Sequence, residues 1–286
     1  MTRDAFHAAV TRRKAVAALF PATLGWGRAA ATGTDAREAR VAGSNLGIPL
    51  LVSSSDEDGR LTGKAEALLA GSAATTGAAL ADAASWCDIL LLHLNTVTCT
   101  LAGTRSLPRI ELVMARKAGT PSPRTYTLSL DWRALPLPSA GVGFQLTAAA
   151  GPLGTSDYRI DVSIEPARHG TLVTLAYGCR VSPSARLAMN TYLATFAASK
   201  VGFSRAADGT LVGGMRGVVE RSVVRYYLAL EAWLGTTDVP APQRLEARLN
   251  RWFDGTERFA LQLREIPRET YLRAKLGSRR SEQLLR

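Results

Sequence analysis

The sequence predicts an α+β protein in which an antiparallel sheet is built first and a long helix follows it. Three observations carry that reading. The middle third of the chain runs on a two-residue apolar rhythm broken at hairpin spacing. The stretch from Met215 to Trp233 carries one apolar stripe at helical spacing. The first 31 residues have the make-up of an export signal, which leaves 255 of the 286 residues, enough for one large domain or two small ones.

The leader comes first in order. Thr11-Arg12-Arg13-Lys14 precedes an apolar run from Ala15 to Trp26, interrupted by Pro21, Thr23 and Gly25, and then by the small-residue exit Arg28-Ala29-Ala30-Ala31. A permanent bilayer helix needs about 20 apolar residues, so this shorter run is expected to be cleaved, with the mature chain starting near Thr32. The destination is the periplasm or the exterior. The adjacent Arg12 and Arg13 keep a twin-arginine route open beside the general secretory one.

Residues 32–47, rich in Ala, Arg and Gly, read as a polar linker. Ile48 to Ser53 reads as a short strand, Asp56-Glu57-Asp58-Gly59 as a turn, and Arg60 to Ala70 as a second strand or strand-like arm. From Ser72 to Leu94 the spacing becomes helical, as two short helices broken near Ala84-Ser85. Five strands follow, over Ile110–Arg116, Tyr126–Trp132, Phe144–Leu146, Tyr158–Ile164 and Leu172–Ala176. Gly119-Thr120-Pro121, Pro136 to Gly143, Gly151 to Gly154 and His169-Gly170 separate them, the spacing of an antiparallel sheet with one buried face.

Helical spacing resumes over Ser184–Lys200 and, after a turn at Ala207-Asp208-Gly209, over the stripe Met215, Val219, Ser222, Tyr226, Leu230 and Trp233. Pro240 and Pro242 punctuate before a further helix from Arg244 to about Arg264. Pro267 then opens a basic helical tail, 267–286, with Arg268, Arg273, Lys275, Arg279, Arg280 and Arg286.

Charge and cysteine usage narrow the chemistry. The leader holds five of the 35 Lys and Arg and one of the 24 Asp and Glu, so the mature chain has 30 basic against 23 acidic residues, a net charge of +7. Outside the cytoplasm that balance favours anionic lipid headgroups or wall polymers over nucleic acid, and peripheral contact with an anionic membrane surface is an expected partner mode. Cys87 and Cys99 flank a short segment in a chain sent to an oxidising compartment, so they are expected to pair, while Cys179 reads as a buried free thiol. Beyond the leader the histidines are His93 and His169, and no C-x-x-C or H-x-x-x-H spacing exists, so no metal site or cofactor is expected. No G-x-S-x-G, Walker loop or dinucleotide fingerprint is present either.

The chain resembles the START-like (SRPBCC) superfamily, in particular a group of exported bacterial members. Trp86-Cys87-Asp88-Ile89-Leu90 with His93-Leu94-Asn95 and Cys99 carries the likeness, with Gly151-Pro152-Leu153-Gly154-Thr155-Ser156-Asp157-Tyr158, Lys200-Val201-Gly202-Phe203, and Gly217-Val218-Val219-Glu220-Arg221 running into Arg225-Tyr226-Tyr227. The resemblance implies a helix-grip domain over 48–266, a curved antiparallel sheet packed on the long C-terminal helix around a space that accepts an apolar ligand. Two departures stand out: more helix follows the sheet than the minimal fold has, and 32–47 is an extra arm.

If the long helix faces that space, Met215, Val219, Tyr226 and Trp233 line it, with Tyr158 at a strand start; the alternative for each is an ordinary core position. Glu220 and Arg225 lie in a charged cluster with Arg216 and Arg221, where Arg216 and Glu220 are placed to pair across one turn. A buried Glu220–arginine pair would instead receive a ligand headgroup. The expected function is an exported, non-catalytic binding protein for a hydrophobic or amphipathic molecule, a lipid among them. The rivals are a cyclase- or hydrolase-like enzyme using His93, Glu220 or Asp157 as acid or base, and a cell-envelope interaction protein whose interior is filled.

Overall fold

The computed structural model describes residues 26–115, 124–138, 140–195 and 197–284. The expected export signal lies, up to residue 25, outside the described residues. The elements are α1 (Trp26–Ala42), β1 (Leu50–Glu57), β2 (Arg60–Leu69), α2 (Ala73–Ala79), α3 (Ala83–Leu92), β3 (Thr96–Gly103), β4 (Pro108–Ala115), β5 (Thr125–Pro136), β6 (Val142–Ala150), β7 (Thr155–Ala167), β8 (Gly170–Val181), α4 (Pro183–Thr195), α5 (Gly214–Leu234), α6 (Ala241–Glu257), α7 (Ala260–Leu263) and α8 (Arg268–Leu284).

The strands form one antiparallel sheet in the order β1-β2-β8-β7-β6-β5-β4-β3. Asp58 (φ 50°) and Gly59 (φ 74°) supply the left-handed pair that a two-residue hairpin between β1 and β2 requires. The α2–α3 crossover then carries the chain from β2 to the far edge. Ser72 caps α2 by accepting from the Thr75 N–H, and Asp82 caps α3 by accepting from the Ala84 N–H. The helix break therefore falls at 80–82, just ahead of the expected Ala84-Ser85, because Asp82 is the cap. The disulfide Cys87–Cys99 ties α3 to β3, as the spacing predicts.

The sheet curves around α5, which makes this a helix grip of the α+β class with additional C-terminal helices. On the inner face, Leu130, Leu146, Ile160, Val162 and Leu175 belong to one buried cluster with Val223, Tyr226 and Leu230 of α5, and Trp86 of α3 packs on Phe144 at 5.4 Å. Burying side chains of this size contributes about 1.5–3 kcal/mol each. Sheet and helix meet at backbone distance at Gly63, where an added Cβ would lie 2.8 Å from the Val219 carbonyl oxygen.

Four expectations change. β3 joins the sheet as an eighth strand: its Thr-rich, half-exposed edge lacks the apolar alternation by which the other strands are recognised. The stretch 32–47 is no free linker, because α1 runs to Ala42 and lies on the outer face. There Arg37 reaches Glu165 (2.6 Å) and Thr174 (2.6 Å), while Glu38 accepts from the N–H groups of Arg168 (2.8 Å) and His169 (2.9 Å). The helix expected over Arg244–Arg264 divides into α6 and α7, with Phe259 (φ −120°) between them. The basic tail is docked: the Tyr271 hydroxyl donates to the Leu92 carbonyl (2.8 Å), and its ring stacks on Trp252 at 4.7 Å.

Candidate functional site

The helix expected to line a cavity is instead covered on nearly every side. Burial along α5 does not follow a stripe: Val223, Val224, Tyr227, Leu228 and Ala229 are as buried as Val219, Tyr226 and Leu230, with the sheet on one side and α3, α4, α6 and α7 on the others. Four concavities among the described residues, of about 600, 420, 440 and 490 Å³, are lined by residues other than Met215, Val219, Glu220, Arg225, Tyr226 and Trp233. Met215 and Val219 pack with Leu61, Leu193 and Ala197 beneath α4. The Tyr226 ring stacks on His93 at 4.6 Å and lies 5.3 Å from Tyr177, so these rings pack on one another inside the grip. Trp233 lies under the Arg248 guanidinium at 5.0 Å, which is itself paired to Asp88 at 2.7 Å.

Glu220 is fully buried, and its place is structural. Its carboxylate accepts from the backbone N–H groups of Phe203 (2.6 Å) and Ser204 (2.9 Å) and from the hydroxyls of Ser54 (2.6 Å) and Ser204. The expected one-turn pair with Arg216 does not form. Arg216 donates to the Ser54 hydroxyl (3.0 Å), so that serine stands between the two charges. Gly202 makes this approach possible, since an added Cβ would lie only 3.1 Å from the Glu220 carboxyl carbon. Arg225 is held by the Leu263 carbonyl (3.2 Å) and Glu265 (2.6 Å), and Arg221 by the Val201 carbonyl (3.3 Å). Burial, then the Arg225 charge, pull the Arg221 pKa down to about 10.

The three residues proposed as acids or bases do not converge. His93 is buried at the end of α3, and burial followed by the Arg225 and Lys275 charges hold its pKa well below the usual range, so its ring is neutral. Its Nδ1 accepts from the Asn95 N–H (3.3 Å), which assigns the proton to Nε2 and leaves no free basic lone pair. Asp157 is half-exposed and pairs with Arg180 at 3.2 Å on the surface. Tyr158, beside it in a β-bulge, donates to or accepts from the Thr155 hydroxyl (2.8 Å), and burial pushes its pKa up to about 12. Tyr158 borders a polar concavity of about 600 Å³ whose charged residues include Arg60, Asp131 and Asp161. Cys179 is buried as expected, and burial raises its thiol to about 11, which makes it a poor nucleophile. Among the described residues no His, Cys, Asp and Glu cluster could hold a metal ion.

A largely apolar concavity lies at the end of the grip. A groove of about 490 Å³ opens where β2 leaves α5, walled by Ile48, Leu69, Ala79, Tyr227 and Leu234, with Arg251 at its rim. Glu231, also at the rim, is paired to Arg258 at 2.8 Å. Gly235 lets the Arg251 guanidinium lie close against the backbone beside the groove: an added Cβ would lie 2.5 Å from its Cζ. An apolar wall with one cationic group beside it suits a molecule with a hydrophobic body and an anionic end. The sequence signal for it is Leu68-Leu69-Ala70, where apolar residues occupy successive positions and break the alternation of β2.

Neither a protein-family model nor a curated protein matches this sequence. Solved structures that align with it include a norcoclaurine synthase point mutant of Thalictrum flavum, 14% identical over 59% of this chain and 97% of that one, with a TM-score of 0.34. The Zhui aromatase/cyclase of Streptomyces sp. R1128 aligns at 12% identity over 73% of this chain and 94% of that one, with a TM-score of 0.30. The di-domain aromatase/cyclase StfQ from the steffimycin biosynthetic pathway aligns at 12% identity over 72% and 54%, with a TM-score of 0.35. The helix-grip architecture stands on the strand order and the burial of α5, independently of these likenesses.

Proposed function

We propose that this protein is an exported, non-catalytic binding protein for an amphipathic molecule of the fatty-acid or lipid kind, held in the groove between the end of β2 and the C-terminal half of α5. The observation that carries the proposal is the pairing of an apolar wall with the single rim cation Arg251. The packing of Tyr226 against His93 and Tyr177 inside the grip favours its end as the site. The separate structural duties of His93, Glu220 and Asp157 argue against acid–base chemistry. The Cys87–Cys99 bond supports export to an oxidising compartment.

The test is to express the full chain with its leader, recover the processed protein from the periplasm, and record its native mass before and after organic extraction. A fluorescent fatty acid, cis-parinaric acid, is then titrated into the extracted protein. One-to-one uptake is expected, and Leu69→Arg, which places a charge on the groove wall, is expected to abolish it. No uptake by the wild type, or equal uptake by Leu69→Arg, overturns the proposal.

A further inference from the structure

The two edges of the sheet are finished differently. β1, at one edge, follows Pro49 and ends in Asp56-Glu57, the proline and charges by which an edge discourages pairing with another strand. β3, at the other edge, has no charged residue and no proline over Thr96–Gly103. Thr100 to Gly103 are all exposed. The bulge between Thr96 and Thr98 lies at the opposite end of the strand, where Lys275 of α8 donates to the Thr96 carbonyl.

The hydrogen-bond parity of the β3–β4 hairpin fixes what this edge offers. Pro108 stands opposite Gly103 and has no N–H, so these two cannot be a pair that exchanges both bonds. Antiparallel pairs alternate, so Ala102 with Arg109 and Thr100 with Glu111 are the bonded pairs. The bond from the Leu107 N–H to the Thr104 carbonyl (3.2 Å) agrees with this parity. Cys99 and Leu101 therefore turn both N–H and C=O away from β4, and among the described residues these four groups have no other partner. Donors alternating with acceptors along an open edge are what a further β-strand pairs with.

We propose that β3 pairs antiparallel with β3 of a second copy of this chain, joining the two sheets across a two-fold axis at Leu101. Leu101 of one copy stands opposite Leu101 of the other and exchanges both bonds with it, while Cys99 stands opposite Gly103. The side chains fit that register. Leu101 lies on the inner face, in line with the buried Ile110 and Leu130, yet is 49% exposed; its counterpart in the second copy covers it. On the outer face, Ala102 of one copy falls opposite Thr100 of the other. Arg109 of one copy then shares a row with Glu111 of the second, across two small residues, and the two-fold axis repeats the arrangement. A strand that is uncharged where it meets itself, with opposite charges aligned one strand further in, selects a second copy over an unrelated chain. The groove proposed for the ligand lies at β2 and α5, so the two proposals stand independently.

Sedimentation equilibrium of the processed protein over a range of concentrations is expected to show monomer and dimer in exchange. Leu101→Pro removes an N–H that bonds nothing within one copy, so the circular dichroism spectrum and urea midpoint are expected to stay those of the wild type. The dimer loses two bonds, and its dissociation constant is expected to rise about tenfold or more. Leu101→Cys tests the register without a proline. A bonded antiparallel pair holds its Cα atoms about 5.5 Å apart, within disulfide reach, so glutathione buffer is expected to link two copies through residue 101. Leu107→Cys, at the hairpin tip and 77% exposed but away from the axis, is expected to stay unlinked. A monomer at the highest concentration reached overturns the proposal. So does a folded Leu101→Pro that dimerises like the wild type, or a Leu107→Cys that links as readily as Leu101→Cys.

Discussion

Removing the Glu220 carboxylate tests whether this buried charge is a fastening or a reactive group. The side chain is fully buried and accepts from two backbone N–H groups and two hydroxyls, joining α5 to β1 and to the loop at Phe203 and Ser204. In Glu220→Ala, the hydroxyls can turn elsewhere, but the N–H groups of Phe203 and Ser204 cannot. Each buried donor left without an acceptor costs about 1–3 kcal/mol, so the truncation is expected to cost about 3–5 kcal/mol once the vacated volume is included. Glu220→Gln keeps the shape. Its amide oxygen can retain the two backbone donors, and its NH₂ can face the two hydroxyls, each of which can turn to accept. What is lost is the charge assistance, about 1–2 kcal/mol. Urea unfolding followed by circular dichroism gives both values from the midpoints at constant slope. A loss below about 1 kcal/mol for Glu220→Ala would refute the fastening, as would a glutamine variant no more stable than the alanine one.

Two further outcomes follow from the docking of α3. Lys275 donates to the carbonyls of Leu91 (2.7 Å), His93 (2.7 Å) and Thr96, and burial pulls its pKa from 10.5 down to about 7. The unfolded chain therefore binds more protons than the folded one between pH 7 and 10.5. The stability of wild type relative to Lys275→Met should accordingly rise with pH across that window, and a flat difference in urea titrations from pH 6 to 10 would contradict this. The Cys87–Cys99 bond closes a loop with a sequence separation of 12, for which chain entropy predicts about 3 kcal/mol. Comparing wild type with Cys87→Ser/Cys99→Ser in the same assay measures it, and a loss under about 1 kcal/mol would show that the cross-link restrains little.

Much of the fold was legible because apolar period records whether a segment presents one covered face. The alternation of Tyr126-Leu128-Leu130-Trp132 and of Tyr158-Ile160-Val162-Ile164 marked β5 and β7, and Asp58-Gly59 marked the first hairpin. β3 escaped because an edge strand with a half-exposed surface has little apolar alternation to show. The site was harder to read. Met215, Val219, Tyr226 and Trp233 were rightly placed on one long helix, but a stripe tells that a face is covered and not whether a side chain or a ligand covers it. The groove is built from residues far apart in sequence, Ile48, Leu69, Tyr227 and Arg251, no two of which form a motif.

By itself the sequence determined the order and type of most elements between β1 and α6, the antiparallel pairing, the long helix and the disulfide partners, since each follows from local period, turn chemistry or short separation. Tertiary structure alone decided that α5 is buried on nearly all sides, that α1 lies on the outer face, and that α8 docks through a buried lysine. Those outcomes depend on which donors meet which acceptors across the fold. Lys275 is basic and polar in any sequence window, and only the free carbonyls at the end of α3 make its burial favourable.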